Sequence, residues 1–318
     1  MRMVAARVAM ALLAALPLAQ ASAQVDPDTI TNVYHLGPLV IHGRAEGLNL
    51  EGFMRQVKED TTFLHAFLNM RYYPHEVESG LQVRNKGEKE KATLYREGRL
   101  VRNGSMAELV LDSASESGKL RSRKGDMRYL TAELYDDLFW PKGNWQADNS
   151  IAGYQRGGRG GGRIEKYKDE LKKFMFNPGQ EIASVPFIGD KLALFDPDML
   201  PYYDFGIDHS HRNGQLCWEF TAMARDSVDG KRAKEGATVI KSMRTWFDQR
   251  TMQVIAREYR IAHASLILDF DISIQVDNKL EGEELVPTHI RYEGDWDIPL
   301  RKRELVNFWL RMGDWEVD

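Results

Sequence analysis

Between Leu266 and Val276 the chain alternates almost without a break. Leu266, Leu268, Phe270, Ile272, Ile274 and Val276 are apolar, while Asp269, Asp271, Ser273 and Gln275 between them are polar; only Ile267 departs from the pattern. A period of two predicts a half-buried antiparallel strand. Its eleven residues would span roughly 36 Å at about 3.3 Å per residue. Similar patterning predicts strands over 214–224, 238–248, 252–263, 266–277, 285–296 and 301–311, with Asp248-Gln249-Arg250 and Asn278 to Glu283 as hairpin turns. Consecutive long strands without intervening helices predict a meander rather than a doubly wound fold.

The first half reads differently. Phe53, Val57, Leu64 and Leu68 repeat at helical spacing and predict one helix over 50–70, ended at the latest by Pro74. From 80 to 111 the pairs Leu81/Val83, Thr93/Tyr95 and Leu109/Leu111 predict short strands. Asn85-Lys86-Gly87, Glu97-Gly98 and Asn103-Gly104 read as the turns between them. A short helix is expected over 131–139, before Trp140-Pro141. A further helix over 164–176 carries Ile164, Tyr167, Leu171 and Phe174 on one face and stops at Asn177-Pro178-Gly179. The expected fold class is therefore α+β and β-rich: a strongly curved antiparallel sheet, or half-barrel, with helices covering its concave face. Residues 50–318 would form this single domain, with a Gly-rich linker near 155–163. Residues 24–49, with an apolar patch at Leu39-Val40-Ile41, read as a loosely attached lead-in.

The first 23 residues change the picture of where the protein works. Arg2 and Arg7 precede an apolar run from Val8 to Ala19, and Ala21-Ser22-Ala23 has the small-x-small form of a signal-peptidase site. The run is too short to span a bilayer. The expectation is export to the periplasm, with cleavage near Ala23 and no transmembrane anchor. The net charge is −4, and becomes more negative once Arg2 and Arg7 are removed, which argues against a general nucleic-acid binder. The single cysteine, Cys217, has no partner for an intramolecular disulfide. Between Leu216 and Trp218 it reads as a small buried hydrophobe.

Candidate chemistry is sparse. Gly157 and Gly162 have the spacing of a phosphate loop, but Arg163-Ile164 stand where Lys and a hydroxyl are needed. The dinucleotide pattern fails at Arg163 and Glu165. His209 and His211, with Asp204 and Asp208 nearby, could be part of a metal site, since two residues at spacing two share a strand face. This supports an alternative reading as an exported metal-dependent hydrolase; a polar hairpin tip is the simpler account. Asp269 and Asp271 would lie about 7 Å apart, a separation seen in paired-carboxylate hydrolases, yet alternating Asp on a solvated strand face explains them as well. No cofactor is implied. The aromatic series across the predicted strands reads either as ordinary core or as an apolar groove. In the second case Trp218, Phe220, Trp246, Phe270, Ile272 and Tyr292 would line it.

Three stretches together carry a family resemblance: Phe174 to Gly179, Ile188 to Phe195, and Thr245-Trp246-Phe247-Asp248 followed by Val254-Ile255-Ala256-Arg257-Glu258-Tyr259. A strand ending in Trp-Phe-Asp, then a turn and a second strand, resembles the outer-membrane lipoprotein-sorting-protein-like (LolA-like) group, as does Val286 to Tyr292. The helix at 50–70 and the Trp140-Pro141 region resemble exported proteins of Bacteroidetes-type bacteria. Over residues 180–311 the resemblance implies the half-barrel and a non-enzymatic carrier of a hydrophobic ligand, a lipid or a lipoprotein acyl chain. An envelope assembly role, with a protein partner on an exposed strand edge, is a further alternative.

Overall fold

The structure is a computed structural model that describes residues 32–36, 39–43, 47–152, 179, 189–234, 236–264, 269–297 and 303–317. The expected signal segment, the glycine cluster, the 164–176 helix and the residues Leu266 and Leu268 lie outside these. The strands are β1 (Asn32–Leu36), β2 (Leu39–Gly43), β3 (His75–Arg84), β4 (Glu90–Asn103), β5 (Met106–Gly118), β6 (Asn144–Gln146), β7 (Tyr203–Arg212), β8 (Gln215–Ala224), β9 (Ser227–Val228), β10 (Lys231–Arg232), β11 (Ile240–Asp248), β12 (Val254–His263), β13 (Asp269–Glu281), β14 (Glu284–Asp297) and β15 (Glu304–Gly313). The helices are α1 (Leu50–Glu59), α2 (Thr62–Asn69) and α3 (Leu130–Phe139).

Thirteen strands form one open sheet in the order β1-β2-β7-β8-β11-β12-β13-β14-β15-β3-β4-β5-β6, and β9 and β10 form a separate ribbon. The sheet is mixed rather than purely antiparallel, because β2 runs parallel to β7. β1 and β2 occupy what reads in the sequence as a loose lead-in. Ile41 there is wholly buried, so the apolar patch is a strand of the sheet. The last strand, β15, sits between β14 and β3 and joins the C-terminal meander to the N-terminal one.

Side-chain alternation sorts the sheet into two faces. One line of paired residues runs Ile41, Phe205, Ala222, Met243, Tyr259, Ile274, Tyr292, Phe308, Leu81 and Leu94, apolar or aromatic throughout. The helices pack on this face. Phe53 of α1 meets Trp218 and Phe247 edge-on, at ring separations of 6.4 and 5.4 Å. Tyr135 of α3 lies 4.3 Å from Phe308 and 4.9 Å from Tyr292. On β13, Phe270 and Ile272 are buried beneath the cover while Asp269 is exposed.

The 50–70 helix is two helices. Asp60 breaks it and caps the second, accepting from the Thr62 backbone N–H at 3.0 Å and the Thr62 hydroxyl at 2.7 Å. This is N-cap chemistry set inside an otherwise continuous apolar period. Glu97-Gly98 is likewise no turn: it lies within β4, at a register shift opposite β5. A Cβ at Gly98 would come within 2.4 Å of the Val110 carbonyl oxygen and 3.1 Å of the Trp140 ring. The glycine marks close approach, not chain reversal.

Candidate functional site

Two arginines interrupt the apolar face, and both lie in the next paired line: Ile207, Phe220, Thr245, Arg257, Val276, Ile290, Leu310, Ser79 and Arg96. Each meets a carboxylate from the helical layer. Arg257 lies under the α1–α2 corner, 3.5 Å from Asp60 and 3.1 Å from the Thr245 hydroxyl that accepts from its Nε. Burial pulls its pKa below the ordinary arginine value, against the opposing pull of Asp60. Arg96 lies under α3, 2.5 Å from Asp136, with both side chains about 8% exposed.

Helix α3 is held at its other end as well. Glu304 on β15 accepts from the backbone N–H groups of Leu130 and Thr131 and from the Thr131 hydroxyl, at 3.1, 3.3 and 2.8 Å. A carboxylate there satisfies free N–H groups and complements the helix dipole. The helix is thus held at its start by Glu304 of β15 and near its end by Arg96 of β4, with Tyr135 packed on β14 and β15 between them.

Where α3 ends, a groove of about 490 Å³ opens on the same face of the sheet. Leu94 of β4 and Leu109, Leu111 and Ala114 of β5 form its floor, and Trp140 and Pro141 form its wall. Leu111 is 52% exposed. The Trp140 indole N–H donates to the Ser79 hydroxyl at 3.0 Å, and the Arg96 guanidinium sits 5.3 Å from the indole centre. The Arg96–Asp136 pair closes the inner end, joined by Lys142 at 3.3 Å from Asp136. Glu116 and Arg121 pair at the outer rim, 3.0 Å apart. The groove therefore offers an apolar floor with charge at its ends. Its volume is of the size that holds a small molecule, roughly 300–1,000 Å³.

The residues singled out from the sequence fall elsewhere. Trp218, Phe220, Phe270, Ile272 and Tyr292 all project to the helix-covered face, where they are buried. The Trp296 indole donates to the Tyr292 hydroxyl at 2.5 Å, and burial pushes the Tyr259 and Tyr292 phenols above their usual range. Trp246 does not share that face. It pairs with Glu219 and Ala256 on the opposite side and packs with Cys217, Ile255 and Ala256. Arg212 and Arg244 lie 4.5 and 5.0 Å from its ring. The adjacent Phe247 takes the covered face instead. Cys217 is fully buried, and burial raises its thiol pKa.

His209 and His211 stay on one strand face, but Asp204 and Asp208 alternate to the other, so the four do not converge. The His209 ring lies 4.1 Å from Trp218, and its Nδ1 accepts from Gln249 at 2.9 Å. Among the described residues no group of three or more His, Cys, Asp or Glu side chains is placed to hold a metal ion. Asp271 is held by Arg260 at 2.8 and 2.6 Å, which lowers its pKa. The groove residues were not singled out from the sequence. Leu109/Leu111 and Trp140-Pro141 were the available signals, but nothing in the sequence joins them.

No protein-family model matches the chain, and no curated protein matches it. Among solved structures it is similar to a DUF1329 family protein from Desulfovibrio piger, at 10% identity and a TM-score of 0.24, over 84% of this chain and 91% of that one. A domain described as an outer membrane lipoprotein-sorting protein from Vibrio parahaemolyticus matches at 10% identity and a TM-score of 0.26, over 81% and 92% of the two chains. A lipovitellin structure concerned with lipid–protein interactions matches at 9% identity and a TM-score of 0.25, over 77% of this chain and 25% of that one. Among the described residues no helix is long and apolar enough to cross a membrane.

Proposed function

We propose that this chain is an exported, non-enzymatic binding and carrier protein for a hydrophobic ligand with a polar end, a lipid or an acyl chain. The observation that carries the reading is the groove beside α3. Leu94, Leu109, Leu111 and Ala114 continue the apolar face of the sheet past the end of its helical cover, so apolar surface is left open to solvent beside a buried charged pair. An apolar chain laid there would remove that surface from water, at about 25 cal/mol per Å². In this reading the sheet is the half-barrel expected from the sequence. Trp218, Phe220, Phe270, Ile272 and Tyr292 lie buried beneath the helices, on strands away from this groove, and take no part in this reading.

The test is native mass spectrometry of the full chain as purified, followed by solvent extraction and titration with a fluorescent undecanoic acid. Co-purified lipid, or saturable binding of the probe that Ala114→Trp abolishes, is expected. Empty protein that binds no probe overturns the reading. The exported location is checked separately, by fractionating cells and sequencing the N-terminus of the recovered protein.

A further inference from the structure

A second cleft, of about 610 Å³, opens at the opposite end of α3 from the groove. Five separate chain segments contribute to it: the end of β3, the start of β4, the residue after β5, the approach to α3 and the start of β15. Between them they bring Arg84, Lys91, Lys119, Arg128 and Arg303 to one concavity, with Glu304 as the only carboxylate in its lining.

The charges do not cancel. Glu304 is consumed by capping α3. Arg303 is neutralised by Asp295, its Nε donating at 2.7 Å. Lys91, Lys119 and Arg128 have no ion pair among the described residues. Arg84 reaches the neutral Asn307 amide oxygen at 3.3 Å and the exposed Glu88 only at 3.5 Å, and its Nε is out of water without an acceptor. Three cations without an ion pair, beside an Arg84 guanidinium that pairs only with exposed Glu88 and keeps an unused Nε donor, match a phosphate group, which accepts from several donors at once.

The cleft and the groove share β4. Leu94 floors the groove and Lys91 lines the cleft three residues back along β4, an odd offset that sends the Lys91 side chain to the other face of the sheet. At about 3.3 Å per residue the step is roughly 10 Å. We propose that the cleft binds a phosphate, as the headgroup of a phosphorylated amphiphile. The inference rests on the carrier reading for the tail but not for the phosphate.

The experiment is calorimetric titration of the full chain with three probes: dihexanoyl phosphatidic acid, dihexanoyl phosphatidylcholine and inorganic phosphate. It is repeated with the surface variant Lys91→Gln/Lys119→Gln. The expected result is that phosphatidic acid binds at least tenfold more tightly than phosphatidylcholine. The preference should shrink at high salt and disappear in the variant, whose phosphatidylcholine affinity and melting temperature stay unchanged. Inorganic phosphate binding as tightly as phosphatidic acid, and weakening in the variant, would keep the cleft and overturn the carrier reading. Equal affinity for the two lipids, untouched by the variant, would overturn the cleft and keep the carrier. No binding of any probe overturns both.

Discussion

Arg257 and Asp60 form an ion pair that is almost wholly out of water, with side chains 6% and 2% exposed and 3.5 Å between them. The guanidinium also lies 4.3 Å from the centre of the Phe63 ring. The pair fastens the α1–α2 corner to the middle of the sheet. Asp60→Ala strands a buried cation, so it should cost about 3–5 kcal/mol, and loss of the α2 cap adds about 1 kcal/mol. Asp60→Ala/Arg257→Met should recover most of the loss, because no charge is then left buried. Urea denaturation of the three proteins checks this; a double variant no more stable than Asp60→Ala would show that the pair is not the source of the cost.

Glu304 does for α3 what Asp60 does for α2, but from the sheet instead of from its own segment. Glu304→Ala should destabilise the fold by about 1–2 kcal/mol, since three donors at the helix start lose their acceptor. Amide exchange at Leu130 and Thr131 should rise more than the global loss explains. Exchange that rises uniformly along the chain would count against local capping.

His75 supplies a pH dependence whose sign is definite. It is buried, its ring stacks on Trp315 at 4.0 Å, and its Nδ1–H donates to the Tyr73 carbonyl at 2.8 Å. Burial lowers its pKa from 6.5 to about 4. The folded state prefers the neutral ring and the unfolded chain takes the proton first. The group therefore leaves stability unaffected above pH 6.5, erodes it as pH falls towards 4, and adds no further loss below that. The full effect is at most about 3 kcal/mol. His75→Phe keeps the stack and removes the titration. Its stability relative to the parent should improve steadily between pH 6.5 and 4; His263 and His289, whose pKa values burial also lowers, are present in both proteins and cancel. A difference that stays constant over that window would refute the assignment.

Filling the groove should separate binding from folding. Ala114 is exposed and lines only the groove floor. Ala114→Trp should lower affinity for an acyl probe at least tenfold while shifting stability by no more than about 0.5 kcal/mol. Leu111→Asp should act in the same direction by making the floor polar. Unchanged probe affinity in both variants would move the ligand away from this groove.

Period-two alternation was enough to place β8 and β11 to β15 within a few residues of their ends and to assign Phe270 and Ile272 to the buried side of β13, but it did not find β7, where His209 and His211 read as a hairpin tip. Local turn chemistry sufficed for the Asp248-Gln249-Arg250 reversal between β11 and β12, where the Asp248 carboxylate accepts from the backbone N–H groups of Arg250 and Thr251 at 2.9 and 2.8 Å. These features depend on neighbours in the chain, so local pattern decides them. Trp246 shows where that stops. Trp246 and Phe247 are adjacent aromatics, and either could have faced the helices. Pairing with β8 and β12, with a register shift between the two residues, turned Phe247 inward and Trp246 outward. The parallel β2–β7 contact, the place of β15 between two meanders and the groove itself depend on which distant strands pair. The buried positions of Arg257 and Arg96 lie furthest from local pattern, because a charged side chain is stable inside only when a partner arrives there. Asp60 and Asp136 do arrive, carried by helices whose docking is a property of the whole fold.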